Sequence, residues 1–112
     1  MADRIVQNLS DEIERCKNDI LVVNGEIADA RSTIRECRRR LGLTAFFIGP
    51  EYDPARLTEE DRRHYQRTME ATQRTLREKE DQKRRLERTK MINERDLMVA
   101  QYPDQFRMCQ PR

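Results

Sequence analysis

The sequence predicts an all-α fold in which two long helices form an antiparallel coiled-coil hairpin, itself part of a larger helical bundle. An apolar heptad pattern, a proline-containing connector and the composition favour this fold. Charged residues make up 39% of the chain, hydrophobic residues 36%, and tryptophan is absent. That composition suits long helices that bury only one stripe better than a compact globule. The regular apolar period and the balance of 23 basic and 21 acidic residues argue against disorder.

The first predicted helix covers residues 3–41 and carries an apolar seam with a heptad period. Residues of the seam are spaced alternately three and four apart, which keeps a narrow apolar stripe facing a partner helix. Gly42 is expected to end the helix in the left-handed conformation, after three arginines that suit the helix dipole. The seam comprises Val6, Leu9, Ile13, Cys16, Ile20, Val23, Ile27, Ala30, Ile34, Cys37 and Leu41.

A connector over residues 42–57 separates the two helices, because Pro50 and Pro54 exclude a continuous helix. Its aromatic residues have two possible roles. They can fold back and plug the end of the hairpin, or they can dock into a partner protein, since aromatic side chains are frequent interface hot spots. The candidates for docking are Phe46, Phe47, Ile48 and Tyr52.

The second predicted helix covers residues 58–101, with Thr58 as its N-cap and Pro103 beyond its end. An extended tail over 102–112 completes the predicted single elongated domain. The second helix has a seam in phase with a heptad, but the middle of this seam is polar. Its members are Tyr65, Met69, Thr72, Leu76, Lys79, Lys83, Leu86, Lys90, Asn93, Leu97 and Ala100.

Charge patterning favours the antiparallel hairpin over a parallel homodimer. Folding the chain back brings the e positions of the two helices together, with Lys17, Arg31 and Arg38 on the first helix and Glu80, Glu87 and Glu94 on the second. The parallel homodimer through the first helix is the rival, because isoleucine recurs at its a positions and Glu12 would meet Lys17 of the other copy.

The simplest hairpin register predicts that part of the seam is left exposed. It places Cys16 opposite Lys83 and Leu9 opposite Lys90, and lysine stems cover little apolar surface. An exposed apolar stripe usually marks an interface. We therefore expect a partner helix, from another protein or a second copy, to bind over the first helix at Leu9, Ile13, Cys16, Ile20, Leu21, Val23 and Ile27.

A basic run in the second helix offers an alternative function, an accessory protein that binds nucleic acid. Its possible phosphate-binding residues are Lys83, Arg84, Arg85, Arg88 and Lys90. Against this, acidic residues are interleaved, the net charge is only +2, and no aromatic residues accompany the run for base stacking. A chaperone-like hairpin that holds another protein's helix is a further alternative.

No motif in the sequence indicates an enzyme, and we expect no metal, cofactor or small-molecule substrate. His64 has no metal-like spacing to other ligands, and Cys16 and Cys37 lie about 32 Å apart on one helix, too far to pair. No apolar run approaches the roughly 20 residues of a membrane span. We therefore expect a soluble protein of a reducing compartment, cytoplasmic or nuclear and not secreted, acting as a structural or adaptor subunit of a multiprotein assembly.

Overall fold

The computed structural model of this protein describes residues 2–42 and 57–103. Within those ranges the chain forms two long helices, α1 over Ala2–Arg40 and α2 over Glu59–Gln101, and no strand. The predicted all-α fold class is confirmed, and each helix boundary lies within one residue of its predicted position. Residues 43–56 and 104–112, which hold most of the predicted connector and tail, lie outside the described residues.

The C-terminal end of α1 is closed by glycine, as its sequence predicts. Gly42 has a φ of 71°, a left-handed conformation that other residues adopt only with strain. This conformation lets the Gly42 N–H donate a hydrogen bond of 3.1 Å to the carbonyl of Arg39. Arg38, Arg39 and Arg40 form the last turn, where positive charge is favourable beside the free carbonyl groups of the helix end.

The N-terminal end of α2 is capped by Thr58. Its hydroxyl oxygen accepts a hydrogen bond of 3.0 Å from the backbone N–H of Asp61, and its carbonyl accepts one from the N–H of Arg62. Glu59, Glu60 and Asp61 supply negative charge to the first turn. The predicted N-cap is thereby confirmed, and it explains why the helix begins here rather than earlier.

The chain divides into two compact units, and each helix contributes to both. The terminal unit joins Met1–Val23 to Gln82–Arg112, and the central unit is Asn24–Asp81. The terminal unit therefore combines the beginning of α1 with the end of α2, while the central unit combines the end of α1 with the beginning of α2. This pairing of opposite helix ends is the one that an antiparallel hairpin requires.

Burial is unequal between the helices. Every buried hydrophobic residue of the described ranges belongs to the seam of α1, whereas α2 has no buried residue. The predicted in-phase residues of α2 are all half-buried instead. Short and β-branched side chains of α1 thus lie beneath longer side chains of α2. The buried residues are Ile13, Cys16, Val23, Ile27, Ala30, Ile34, Cys37 and Leu41.

Two ion pairs join α1 to α2 inside the central unit. Lys79 Nζ lies 2.6 Å from Glu26 Oε2, and Arg31 Nη2 lies 3.3 Å from Glu80 Oε1. Arg31 and Glu80 are two of the predicted e positions, although the predicted register does not place them opposite each other. Both pairs are partly exposed, so each adds tenths of a kcal/mol, and their main consequence is to select one alignment of the helices over others.

The predicted register is wrong by about one heptad. The alignment that places Cys16 opposite Lys83 also places Ile20 opposite Lys79, whereas Lys79 pairs with Glu26, six residues further along α1. In the terminal unit the charge of Lys90 acts on the Cys16 thiol, although burial keeps the pKa of this thiol raised. A shift of seven residues leaves every seam residue in phase, so the apolar pattern alone does not distinguish the two alignments.

Candidate interface for a partner helix

Three of the seam residues predicted to bind a partner helix are buried inside the terminal unit itself. Ile13 is 7% exposed, Cys16 4% and Val23 2%, while Leu9 and Ile20 are half-buried. Ile27, in the central unit, is buried as well. The expectation that the seam stays exposed here is therefore wrong, and whether these residues contact any other chain stays a prediction.

Lysine stems explain why the terminal unit covers more of its seam than expected. The side chains of Lys83 and Lys90 are only about a third exposed, at 37% and 32%. Their amino groups turn aside to Glu87, at 3.9 Å, and Glu94, at 3.1 Å, on α2 itself. The methylene stems can then lie over α1 while the charged groups stay in water, which allows a polar helix to cover an apolar one.

The exposed large hydrophobic residues of the described ranges all lie in the terminal unit. On α1 these are Ile5, Leu21 and Val22, with Leu21 being 69% exposed. The remaining five lie near the end of α2. The described part of the central unit has none, because its large hydrophobic residues are buried or half-buried. The α2 residues are Met91, Ile92, Met98, Val99 and Tyr102.

These α2 residues form a second apolar stripe, which we call the outer stripe. They occur in a heptad repeat, in which Arg88 is followed by Met91 and Ile92, and Arg95 by Met98 and Val99, with Tyr102 beginning the next heptad. At about 100° per residue, the middle of this stripe lies roughly opposite the side of α2 that carries Leu86, Asn93 and Leu97. The end of α2 is thus apolar on two sides, whereas a helix that packs on one neighbour needs only one.

Sequence reasoning missed the outer stripe, although its signal is present. The repeat of Arg, two residues, Met and then Ile or Val recurs after seven residues, but it is out of phase with the seam of α2. A search restricted to the heptad positions of the α2 seam therefore does not include the residues of the outer stripe. Of the residues predicted for the interface, Leu21 is the one that the structure leaves well exposed, together with its neighbour Val22.

The structure does not gather the predicted phosphate-binding residues on one face. Lys83 and Lys90 are half-buried on the side of α2 that covers the seam, and each is paired with a glutamate of α2. Arg85 and Arg88 are exposed, and Arg84 is exposed and has a partner of its own. The basic run is consequently divided around the helix, and its positive charge is partly neutralised along the way.

A buried polar group lies on the covered side of α2. Asn93 Nδ2 is buried and donates no hydrogen bond within the described residues. Leaving such a donor unpaired costs roughly 1–3 kcal/mol. Polar residues within coiled-coil seams select register and partner at a cost in stability, and Asn93 is a candidate for that role in the terminal unit.

Cys16 and Cys37 are free thiols in the buried seam. Burial is the main cause that raises the pKa of both thiols, and nearby carboxylates, Glu12 beside Cys16 and Glu36 beside Cys37, raise it further. Neutral buried thiols are poor nucleophiles. Both cysteines therefore contribute packing to the hairpin.

His64 and the predicted turn residues complete the candidates. His64 is exposed on α2 and its ring packs edge-on against Tyr65, with centroids 5.5 Å apart. Within residues 2–42 and 57–103 no cluster of three His, Cys, Asp or Glu residues is arranged to hold a metal ion. The docking candidates Phe46, Phe47, Ile48 and Tyr52 lie outside the described residues.

Comparison of the chain with protein-family models, with curated proteins and with solved structures gives no match. In the part of the chain that the structure describes, neither helix has an apolar stretch long enough to cross a bilayer.

Proposed function

We propose that this chain is a non-enzymatic structural or adaptor subunit, which binds a helix of another chain through the outer surface of its terminal unit. The observation that carries the proposal is the distribution of exposed apolar residues. All large hydrophobic side chains that are exposed in the described ranges belong to the terminal unit. Proteins rarely leave such clusters exposed unless they bind something.

The buried seam has a supporting role in this proposal. It joins the two helices, so that the end of α2 is held on one side and presents its outer stripe on the other. Covering one half-exposed Met, Ile or Val side chain contributes about 1 kcal/mol, half the value of full burial. The described part of the central unit contributes no such gain, and we assign it a scaffolding role.

In this proposal the aromatic connector is a possible second contact with the partner. The expected location is a reducing intracellular compartment. Free Cys16 and Cys37 are compatible with that compartment. Nucleic acid binding through the Arg-rich part of α2 and a chaperone-like role remain the alternative hypotheses.

The experiment compares two double variants of the full chain, each tagged and purified from cells that naturally express it. Ile92→Ser with Met98→Ser alters the outer stripe, and Arg74→Ser with Arg77→Ser is the matched control at exposed positions of α2 in the central unit. Quantitative mass spectrometry then measures which proteins co-purify near stoichiometry.

We expect the unaltered chain and the control variant to retain the same partner, and the outer-stripe variant to lose it. Circular dichroism must show equal helicity for all three chains, since the altered positions are exposed. Identical sets of retained proteins for the two variants would contradict the proposal.

A further inference from the structure

We propose that the outer stripe of α2 binds an acidic amphipathic helix from a different protein, which presents two carboxylates seven residues apart. This inference rests on the proposed function, and it specifies which surface of the terminal unit makes the contact and what chemistry the partner carries.

The length and period of the outer stripe fit a helix as the occupant. From Arg88 to Tyr102 the stripe covers two heptads, or about 21 Å along the axis of α2. Met91 and Met98 are one heptad apart, as are Ile92 and Val99. A partner helix with apolar residues at the same period would contact Met91 and Ile92 in one heptad and Met98 and Val99 in the next. Methionine side chains are flexible enough to adjust to the partner's surface.

The arginines determine the charge of the partner. Arg88 and Arg95 lie within the stripe rather than at its margins, because each falls three or four residues from an exposed Met and Ile or Val. Both are exposed, and neither makes an ion pair or hydrogen bond within the described residues. A helix that covers the neighbouring hydrophobic residues also removes water from these guanidinium groups.

Removing water from a guanidinium group costs several kcal/mol unless a carboxylate replaces it. Carboxylates are the natural ligands because they accept two parallel hydrogen bonds from one guanidinium group. Since Arg88 and Arg95 are seven residues apart, the matching Asp or Glu side chains lie one heptad apart on the partner, at a spacing of about 10 Å.

A second copy of this chain fits the stripe poorly. Symmetric packing of α2 on α2 places one arginine-containing stripe against another. The exposed hydrophobic residues of α1 begin with Ile5 and resume only at Leu21, about 24 Å further along that helix, so they form no stripe of matching period. A partner helix from a different protein avoids both difficulties.

An anionic membrane surface also fits less well. Helices that lie on membranes carry their basic residues on the polar face, beside the apolar one. Here Arg88 and Arg95 interrupt the apolar stripe itself, so inserting Met91, Ile92 and Met98 into lipid would draw both charges toward the hydrocarbon.

The test uses two synthetic amphipathic peptides of about three heptads with leucine along one stripe. One carries glutamate and the other lysine at two stripe positions seven residues apart. Fluorescence anisotropy measures the binding of each to the full chain. We expect the glutamate peptide to bind at least about tenfold more tightly, an energy difference of about 1.4 kcal/mol. Comparable affinity for both, or binding of neither, overturns the inference.

Charge exchange provides the internal control. Arg88→Glu with Arg95→Glu should reverse the preference between the peptides, and Arg88→Gln with Arg95→Gln should remove it. Arg74→Glu with Arg77→Glu makes the same charge change in the central unit and should leave the preference unaltered. A preference that persists in the first two variants overturns the inference, as does its loss in the third.

The same measurements separate the competing occupants and the two proposals. Light scattering that shows a dimer excluding the peptides assigns the stripe to a second copy, and tighter binding to phosphatidylserine vesicles assigns it to membrane; either result overturns the inference.

If Ile92→Ser with Met98→Ser loses the cellular partner while peptide charge has no effect, the proposed function stands and the acidic-helix inference falls. If that variant retains the partner, the proposed function falls whatever the peptides do.

Discussion

Val23 and Val22 are adjacent residues of α1 that differ almost entirely in burial, and replacing each by alanine tests the packing of the hairpin. Val23 is 2% exposed and Val22 is 62% exposed. Removing two carbon atoms from a buried site costs about 1.6 kcal/mol in transfer free energy, and the cavity that remains raises this to about 2–3 kcal/mol. Alanine returns up to about 0.5 kcal/mol through its higher helix propensity.

We therefore expect Val23→Ala to lower the free energy of unfolding by about 2 kcal/mol. We expect Val22→Ala to leave it unchanged or raise it by up to about 0.5 kcal/mol, since helix propensity is the main contribution there. Both substitutions change propensity equally, so the difference between them isolates burial.

Urea unfolding of the isolated chain, followed by far-ultraviolet circular dichroism, measures both values. Equal effects of the two substitutions would show that the seam of α1 is not the buried side of the helix in solution. For partner binding, the order of the two effects should reverse. Val22→Ala should weaken binding if the exposed side of α1 contributes to the contact.

Three further outcomes follow from the same structure. Asn93→Leu should raise the free energy of unfolding by about 1–3 kcal/mol in urea titrations, because it removes a buried donor without an acceptor; a loss of stability would show that the amide has a partner in solution. Gly25→Ala should stabilise α1 by about 0.5–1 kcal/mol in thermal melts, since a Cβ there meets nothing within 4 Å; a lower melting temperature would place that face in a contact. The thiol pKa of Cys16 and Cys37 is raised above 9.0 in the folded chain. The free energy of unfolding should therefore fall as pH rises past about 9, because the thiols ionise first in the unfolded chain. A variant with alanine at both positions should show a flatter profile across that range in urea titrations repeated at each pH.

The apolar pattern was sufficient to predict much of the fold. Four features depend on local chemistry that the sequence displays directly. These are the seam of α1, the half-buried seam of α2, the N-cap at Thr58 and the helix end at Gly42. The register between the helices was harder to predict. A shift of one heptad still places seam residues opposite seam residues, so only specific side-chain pairs such as Arg31 with Glu80 distinguish one alignment from the next.

The candidate interface was less predictable for a different reason. Burial of the seam depends on the conformations of the long side chains of α2. Lys83 and Lys90 are only about a third exposed, so their stems can cover apolar surface although their amino groups are charged. The outer stripe became recognisable once the structure showed which side of α2 was already occupied, leaving Met91, Ile92 and Met98 exposed.

Site-specific photo-cross-linking in cells that naturally express the chain tests whether the outer stripe binds a helix of another protein. A photoreactive side chain replaces Met98 in the terminal unit or, as the control, Arg77 in the central unit, and mass spectrometry sequences the attached peptide. We expect a cross-link at position 98 to a helix of another protein with acidic residues seven apart, and none at position 77. Cross-links at position 77 alone, or at position 98 to a second copy of this chain, would contradict this expectation.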